Sequence, residues 1–140
     1  MPSKKPRDML ASVPLFEGLS ARELQQIHRM GKETDYPAGK VVVKEGGSAV
    51  GFHLILKGKA RVSIKGRTRT TLGPGDFFGE LSLIDRGPRT ATVTADTPLR
   101  TLSLVSWEFV PLLERQPSIA RKMLVVMCHR LREVDRSLTH

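Results

Sequence analysis

Cysteine, large aromatic residues and long apolar runs are scarce in this sequence of 140 residues. The single cysteine, Cys128, excludes an internal disulfide and suits a reducing cytoplasm. We expect its side chain to be a small buried apolar group. The longest apolar run covers residues 123–128 and is far shorter than the roughly 20 residues that span a bilayer. Since the basic N-terminus also lacks a signal-like apolar stretch, the sequence predicts a cytoplasmic protein without a membrane span.

Acidic residues are in the minority, with 14 carboxylates against 23 lysines and arginines, so the formal net charge is +9. Such a surplus favours anionic partners, which include nucleic acids, acidic lipids and charged small ligands. The basic residues are spread along the chain, and no zinc-finger, basic-zipper or aromatic RNA-binding pattern accompanies them. The positive charge therefore leaves one alternative function open, that of a basic nucleic-acid-binding protein. We nevertheless do not expect this chain to bind nucleic acid directly.

Motifs for catalysis or metal binding are also lacking. The four histidines have no spacing that would build a metal site with a carboxylate. The sequence contains no nucleophile elbow, no Cys–His pair with a supporting third residue and no P-loop lysine. We therefore expect no catalytic residue, no metal and no enzymatic activity. The histidines are His28, His53, His129 and His140.

Glycine and proline, in contrast, concentrate in the segment 72–93. The sequence Gly73-Pro-Gly-Asp76 predicts a tight turn, because proline presets φ and glycine permits a positive φ. Residues 79–83 are long enough for one or two helical turns, whose first N–H groups favour an anion. The guanidinium of Arg89 forks naturally onto a phosphate. These features predict a pocket in which N–H groups and Arg89 hold a phosphate while Glu80 accepts from a hydroxyl.

Alternating apolar and polar residues, separated by turn signals, predict an antiparallel roll or barrel over residues 34–105. In one of these strands the alternation predicts burial of Phe52, Leu54 and Leu56. Upstream, Ser20 and Glu23 fit a capping box at the start of a helix.

The remaining segments predict helices and a short tail. Residues 1–7 form a disordered basic tail, and residues 8–140 form a single domain. Its helices cover residues 8–31 and 106–138. The last helix carries an apolar seam with coiled-coil-like spacing, which favours either packing within the domain or self-association. The seam consists of Leu124, Met127, Leu131, Val134 and Leu138.

Two stretches, Phe78-Gly-Glu-Leu-Ser-Leu83 and Pro88-Arg-Thr-Ala-Thr-Val93, resemble the phosphate-binding cassette of the cyclic nucleotide-binding domain family. The cassette spans residues 77–92. The family includes the catabolite activator protein, protein kinase A regulatory subunits and cyclic-nucleotide-gated channels. The resemblance implies a mainly β fold with flanking helices: an antiparallel jelly-roll-like β-roll, N-terminal helices and a C-terminal helix pair. One departure is Gly47, where many members carry an acidic residue.

The resemblance also implies the ligand contacts. Glu80 holds the ribose 2′-hydroxyl, Arg89 holds the cyclic phosphate, and nearby amides hold the other ligand oxygens. Arg130 resembles an arginine that covers the purine, and Thr90 leaves the choice of base open. The implied ligand-binding residues are Phe78, Gly79, Glu80, Leu81, Ser82, Arg89, Thr90, Ala91 and Arg130.

The implied function is a regulatory or sensor domain that binds a cyclic nucleotide and signals through movement of its C-terminal helix. Cyclic AMP (cAMP) is favoured as the ligand and cyclic GMP (cGMP) is the alternative. The implied partners are a second copy of the chain, joined through the 124–138 helix, or an unidentified effector protein. Both a stand-alone sensor and a piece of a larger channel, transferase or regulator fit the sequence.

Overall fold

The computed structural model of the chain describes residues 5–47, 51–80, 82–85 and 89–138. It contains two compact units. The β unit covers residues 30–110, and the helical unit combines the residues up to 29 with those from 111 onward. Over the described ranges, no helix combines the length and the apolarity that a bilayer crossing requires.

In the described part of the β unit, eight strands form two antiparallel four-stranded sheets, which confirms the predicted fold class. The first sheet has the order β1-β8-β3-β6 and the second has the order β2-β7-β4-β5. A four-residue helix, α3, lies between β6 and β7. The bounds are β1 Lys32–Tyr36, β2 Val41–Val43, β3 Gly51–Lys57, β4 Ala60–Ile64, β5 Arg67–Leu72, β6 Phe77–Phe78, α3 Ser82–Asp85, β7 Thr92–Ala95 and β8 Leu99–Val105.

The core of the β unit joins the inner faces of both sheets. Ile55 and Leu99 come from the first sheet, and Ala60, Val93 and Ala95 come from the second. All five are at most 2 % exposed. Burial of a valine, leucine or isoleucine side chain contributes about 1.5–3 kcal/mol. The two sheets are therefore held together by this shared apolar layer.

The predicted alternation in β3 is only partly right. Phe52 and Leu54 are buried as expected, but Ile55 is also fully buried, whereas Leu56 is half-buried. The pairing of β3 with β8 shifts register between Ile55 and Lys57. Such an irregularity changes which side chains face the core, and a period of two cannot reveal it.

The short cassette helix lies later than predicted. We expected it over residues 79–83, but it covers Ser82–Asp85. Gly79 has φ +82°, which is incompatible with a right-handed helix. The upstream turn is confirmed, because the N–H of Asp76 donates to the carbonyl of Gly73 at 2.9 Å.

The helical unit contains α1, a 3-10 turn, α2 and α5, and α4 begins in the β unit and ends in this one. Helix α1 begins at Pro6, inside the segment predicted to be disordered, because a proline in the first turn presets the helical φ. Residues 1–4 lie outside the described ranges. The bounds are α1 Pro6–Leu10, the 3-10 turn Pro14–Phe16, α2 Ala21–Met30, α4 Ser106–Arg115 and α5 Pro117–Leu138.

The predicted capping box is confirmed, and it extends into a partly buried polar cluster around Glu23. The N–H of Ser20 donates to Glu23 Oε1 at 2.9 Å, and the N–H of Glu23 donates to Ser20 Oγ at 3.2 Å. From α5, Ser118 Oγ and Lys122 Nζ each donate to the Glu23 carboxylate at 2.7 Å. Burial alone would raise the pKa of Glu23, but these hydrogen bonds outweigh it and lower the pKa to about 2.

Helix α5 presents one buried and one exposed apolar face. Ile119, Met123 and Val126 are buried. Most of the predicted seam is exposed instead, with Leu131 63 % exposed. The other exposed seam residues are Leu124, Val134 and Leu138. The expectation of a buried Cys128 is wrong, because this residue lies on the exposed side of α5.

Candidate functional site

A cleft of about 590 Å³ opens in the β unit beside the cassette. This volume lies within the roughly 300–1,000 Å³ of small-molecule sites. Seven of the nine predicted site residues line it. The lining residues are Val43, Val62, Phe78, Gly79, Glu80, Ser82, Asp85, Arg89, Thr90, Ala91 and Val93. Of the remaining two predicted residues, Leu81 lies outside the described residues and Arg130 belongs to α5 of the helical unit.

Arg89 is the buried cation of this cleft, with only 9 % of its surface exposed. Its Nη2 donates to the main-chain carbonyl of Gly51 at 2.5 Å. Its Nε is buried and has no hydrogen-bond acceptor among the described residues. Burial lowers the pKa of the guanidinium from its ordinary value. An arginine keeps its charge in proteins, so the cleft contains a fixed positive charge with donor capacity to spare.

Gly79 makes the position of Arg89 sterically feasible. A Cβ built on Gly79 would overlap Arg89 Nη1 and would crowd the Gly51 carbonyl oxygen. The positive φ of Gly79 is also one that residues with a Cβ rarely adopt. A glycine is therefore required here both for its backbone conformation and for the close approach of the guanidinium.

The main chain of Arg89 is held by the turn that follows β2. The N–H of Gly46 donates to the Arg89 carbonyl at 2.9 Å, and the N–H of Arg89 donates to the Gly47 carbonyl at 3.2 Å. The N–H of Glu45 donates to Thr92 Oγ1 at 3.0 Å. Because both its backbone and its side chain are bonded, Arg89 is pre-positioned in the cleft.

His53 stacks behind the cassette on Phe78, with ring centroids 4.8 Å apart and an interplanar angle of 18°. Its Nδ1 is 3.0 Å from Ser103 Oγ. Burial of the ring, followed by the charge of Arg89, lowers the pKa of His53 to about 4. At neutral pH the imidazole is therefore uncharged. His53 thus adds no second positive charge beside Arg89.

Sequence reasoning missed several residues of the cleft wall. Val43, Val62 and Val93 come from three strands of the second sheet, and their pattern indicates only inward-facing core positions. Asp85 at the end of α3 was also missed. Only the pairing of β2 and β4 with β7 brings the three valines together.

This arrangement suits a small anion that also has hydroxyl and apolar parts. The guanidinium of Arg89 can hold the anion, the carboxylate of Glu80 can accept from a hydroxyl, and the valine wall can cover an apolar ring. No group of three or more histidine, cysteine or carboxylate side chains that could hold a metal occurs among the described residues.

A second cleft, of about 540 Å³, lies in the helical unit. It is lined by Glu17, Gly18, Arg121, Lys122, Val125, Val126 and His129. It contains none of the predicted site residues, and most of its charged side chains are exposed. The chemistry points to the cassette cleft instead, because among the residues that the structure describes only this cleft holds a largely buried guanidinium in place.

Comparison with known proteins agrees with this choice. A family model described as a cyclic nucleotide-binding domain matches residues 33–116. The chain is 34% identical over 130 residues to the cyclic AMP receptor protein of Thermus thermophilus. This alignment covers 89% of this chain and 60% of that protein. It is 38% identical over 112 residues to a cyclic nucleotide-gated potassium channel of Mesorhizobium japonicum. That alignment covers 80% of this chain and 31% of that protein.

Solved structures agree as well. The N-terminal domain of a transcriptional regulator from Streptomyces coelicolor superposes with a TM-score of 0.87 and 29% sequence identity, covering 94% of this chain and 95% of that one. The Thermus thermophilus catabolite activator protein gives a TM-score of 0.70 and 34% identity, covering 90% of this chain and 62% of that one. The chain thus spans about 60% of the length of the curated regulator that it matches.

Proposed function

The chain belongs to the cyclic nucleotide-binding domain family, and from this premise we propose that its cassette cleft binds a cyclic nucleotide to regulate another protein or a second copy of the chain. The observation that carries the proposal is the buried Arg89, held between Gly51 and Gly79 in the same cleft as Glu80. The proposed activity is ligand sensing in the cytoplasm without catalysis.

In this proposal Arg89 binds the cyclic phosphate. Its Nε lacks an acceptor among the described residues, and a phosphate oxygen would supply one. Hydrogen bonds to a charged group contribute about 1.5–3 kcal/mol, whereas micromolar binding requires about 8 kcal/mol. The remainder must come from Glu80 on the ribose and from the valine wall against the purine.

The other cassette residues supply main-chain donors and shape. We assign N–H donors for the ligand oxygens to Gly79, Thr90 and Ala91, which line the cleft. We also assign an N–H donor to Leu81, and this assignment rests on the family resemblance alone. Phe78 and Ser82 complete the cleft wall, and the stacking of Phe78 on His53 supports its position.

We favour cAMP over cGMP as the ligand. A curated relative of this chain is named a cyclic AMP receptor protein. Thr90 is exposed at the cleft and is compatible with either base, and no further guanine-reading residue stands out in the lining.

The partner that we favour is a second copy of the chain, bound through the apolar seam of α5. Four of its five residues are exposed, and Leu138 is 77 % exposed. Burying apolar surface contributes about 25 cal/mol per Å², so pairing two such helices would stabilise a dimer. Movement of α5 on ligand binding would then be transmitted to a molecule that is bound to the dimer. An unidentified effector on the same seam is the alternative partner.

A calorimetric titration with cAMP, cGMP and AMP under one set of conditions tests the proposed function. We expect saturable binding of cAMP, weaker binding of cGMP and no comparable binding of AMP, because AMP lacks the closed phosphate ring. Failure of both cyclic nucleotides to bind would contradict the proposal. Equal binding of AMP would contradict recognition of the ring.

A further inference from the structure

Three cations lie on the hairpin that β4 and β5 form. Lys65 is in its turn, and Arg67 and Arg69 are on β5. All three are exposed, and none of them takes part in an ion pair between described residues. We refer to Lys65, Arg67 and Arg69 as the basic hairpin. The Glu45 carboxylate accepts a hydrogen bond from the Lys65 main chain and offsets at most one of the three positive charges, so the basic hairpin keeps a net positive charge.

The basic hairpin lies at the rim of the cassette cleft. Val62 lines the cleft, and Ile64 lies two positions further along β4, on the same face of the strand. Arg67 pairs directly with Ile64, so it shares that face. The N–H of Lys65 donates to Glu45 Oε1 at 2.9 Å, and Glu45 is two residues beyond Val43, which also lines the cleft. At about 3.3 Å per residue, the cations start roughly 7–10 Å from the cleft wall.

The described lining of the cleft carries a small negative formal charge overall, although the buried Arg89 within it can hold an anion. Among its described lining residues, Glu80 and Asp85 are acidic and Arg89 is basic, so the formal charge of the lining is 1 − 2 = −1. Asp85 is exposed whereas Arg89 is buried, so negative charge is the more accessible part of this lining. Positive charges at the rim would offset it and would concentrate anions at the entrance.

We propose that the basic hairpin steers the anionic ligand into the cleft and accelerates its association. This proposal rests on the proposed function. Arginines on an edge strand, here with a bulge opposite Val62 and Ser63, also protect a sheet against edge-to-edge pairing. Protection alone would leave the association rate unchanged, so ligand kinetics separate the two roles.

A matched control set lies on elements that contribute no residue to the described cleft lining. Arg22 and Arg29 are on α2, and Lys32 is the first residue of β1, which is the edge strand of the first sheet. All three are exposed, and none of them takes part in an ion pair between described residues. Replacing them with glutamine removes the same formal charge as neutralising the basic hairpin, but leaves β4, β5 and the cleft lining unchanged.

The test is stopped-flow binding of a fluorescent cAMP analogue to wild type, to K65Q/R67Q/R69Q and to R22Q/R29Q/K32Q. At about 0.01 M salt, where the Debye length is about 30 Å, we expect the hairpin variant to associate about five- to tenfold more slowly, with an unchanged dissociation rate. The control variant should change less than about twofold. At about 1 M salt the Debye length is about 3 Å, and the difference should vanish.

Other results would overturn the proposal. An equal slowing in both variants would show an effect of net charge only, and an unchanged association rate in the hairpin variant would show that Lys65, Arg67 and Arg69 protect the sheet edge only. In either case intact equilibrium binding of the analogue by wild type leaves the proposed function standing. A wild-type chain that binds no cyclic nucleotide would overturn both proposals.

Discussion

Arg89 Nη2 donates to the main-chain carbonyl of Gly51, which links the cassette to the first residue of β3, 38 positions earlier in the chain. Gly79 lies against the same guanidinium with no side chain between them. The cation is thus oriented before any ligand arrives, and little of the binding free energy is spent on ordering it.

Replacing Arg89 with alanine should weaken cAMP binding at least tenfold, which corresponds to about 1.4 kcal/mol. Arg89→Lys should also bind weakly, because a lysine retains the charge but lacks the planar fork that reaches the phosphate and the Gly51 carbonyl together. Calorimetry on both variants measures the loss. Arg29→Ala, on the exposed side of α2, is the control and should bind as wild type does. Unchanged affinity in Arg89→Ala would contradict the phosphate role.

Gly79→Ala should reduce both stability and cAMP affinity. The added methyl group would overlap the Arg89 guanidinium, and φ +82° is strained for alanine by about 1–2 kcal/mol. Gly66→Ala isolates the backbone term, since Gly66 has φ +78° but nothing within 4 Å of its built Cβ. Urea unfolding and calorimetry on both variants test this expectation. If the two variants lost affinity equally, displacement of Arg89 would not be the cause.

Glu23→Gln should destabilise the chain by about 1–3 kcal/mol at neutral pH, because the hydrogen bonds that Ser118 and Lys122 donate would lose their charged acceptor. The pKa of Glu23 is lowered to about 2, so its carboxylate contributes stability above about pH 4.5 and loses it as the pH falls toward 2. Denaturant unfolding at several pH values should therefore show convergence of wild type and Glu23→Gln near pH 2. A constant difference between the unfolding free energies of wild type and Glu23→Gln down to that pH would argue against the carboxylate charge as the source of the stability. Glu17→Gln, at an exposed position, is the control.

Leu131→Glu should dissociate the proposed dimer, raising its dissociation constant more than about tenfold, because a carboxylate would have to be buried in the seam. Analytical ultracentrifugation reports the change. Val41→Glu is the control, since Val41 is a 45 % exposed aliphatic residue on β2. The exposed Cys128 permits an independent check, in which a bismaleimide should crosslink wild type but not Leu131→Glu. A monomeric wild type at all accessible concentrations would argue against pairing through the seam.

Arg130→Ala tests whether α5 covers the bound purine. If the guanidinium stacks on the base, its loss should accelerate cAMP dissociation about two- to tenfold while changing association little. Arg132→Ala, two residues further and exposed, is the matched control. Identical dissociation rates for wild type and Arg130→Ala would remove Arg130 from the proposed ligand-binding residues.

Local signals were sufficient for much of the fold. The capping box of Ser20 and Glu23 and the turn at Gly73 to Asp76 both depend on neighbouring residues, and the structure confirms them. Predictions failed where a distant contact decided the outcome. The register shift in β3 arises in its pairing with β8, and it buries Ile55 more fully than Leu56. No window of residues around Ile55 contains that information.

By itself, the sequence predicted an antiparallel roll or barrel and a pocket that contains both Arg89 and Glu80, because turn chemistry and strand alternation act over a few residues. The family resemblance of two short stretches added the cassette and the flanking helices. Only the tertiary structure decided which partners surround them. It brought the Gly51 carbonyl under Arg89, the valine wall from three strands and the neutral His53 behind Phe78. Such juxtapositions depend on sheet pairing between residues far apart in the chain, where register rather than local propensity determines what touches what.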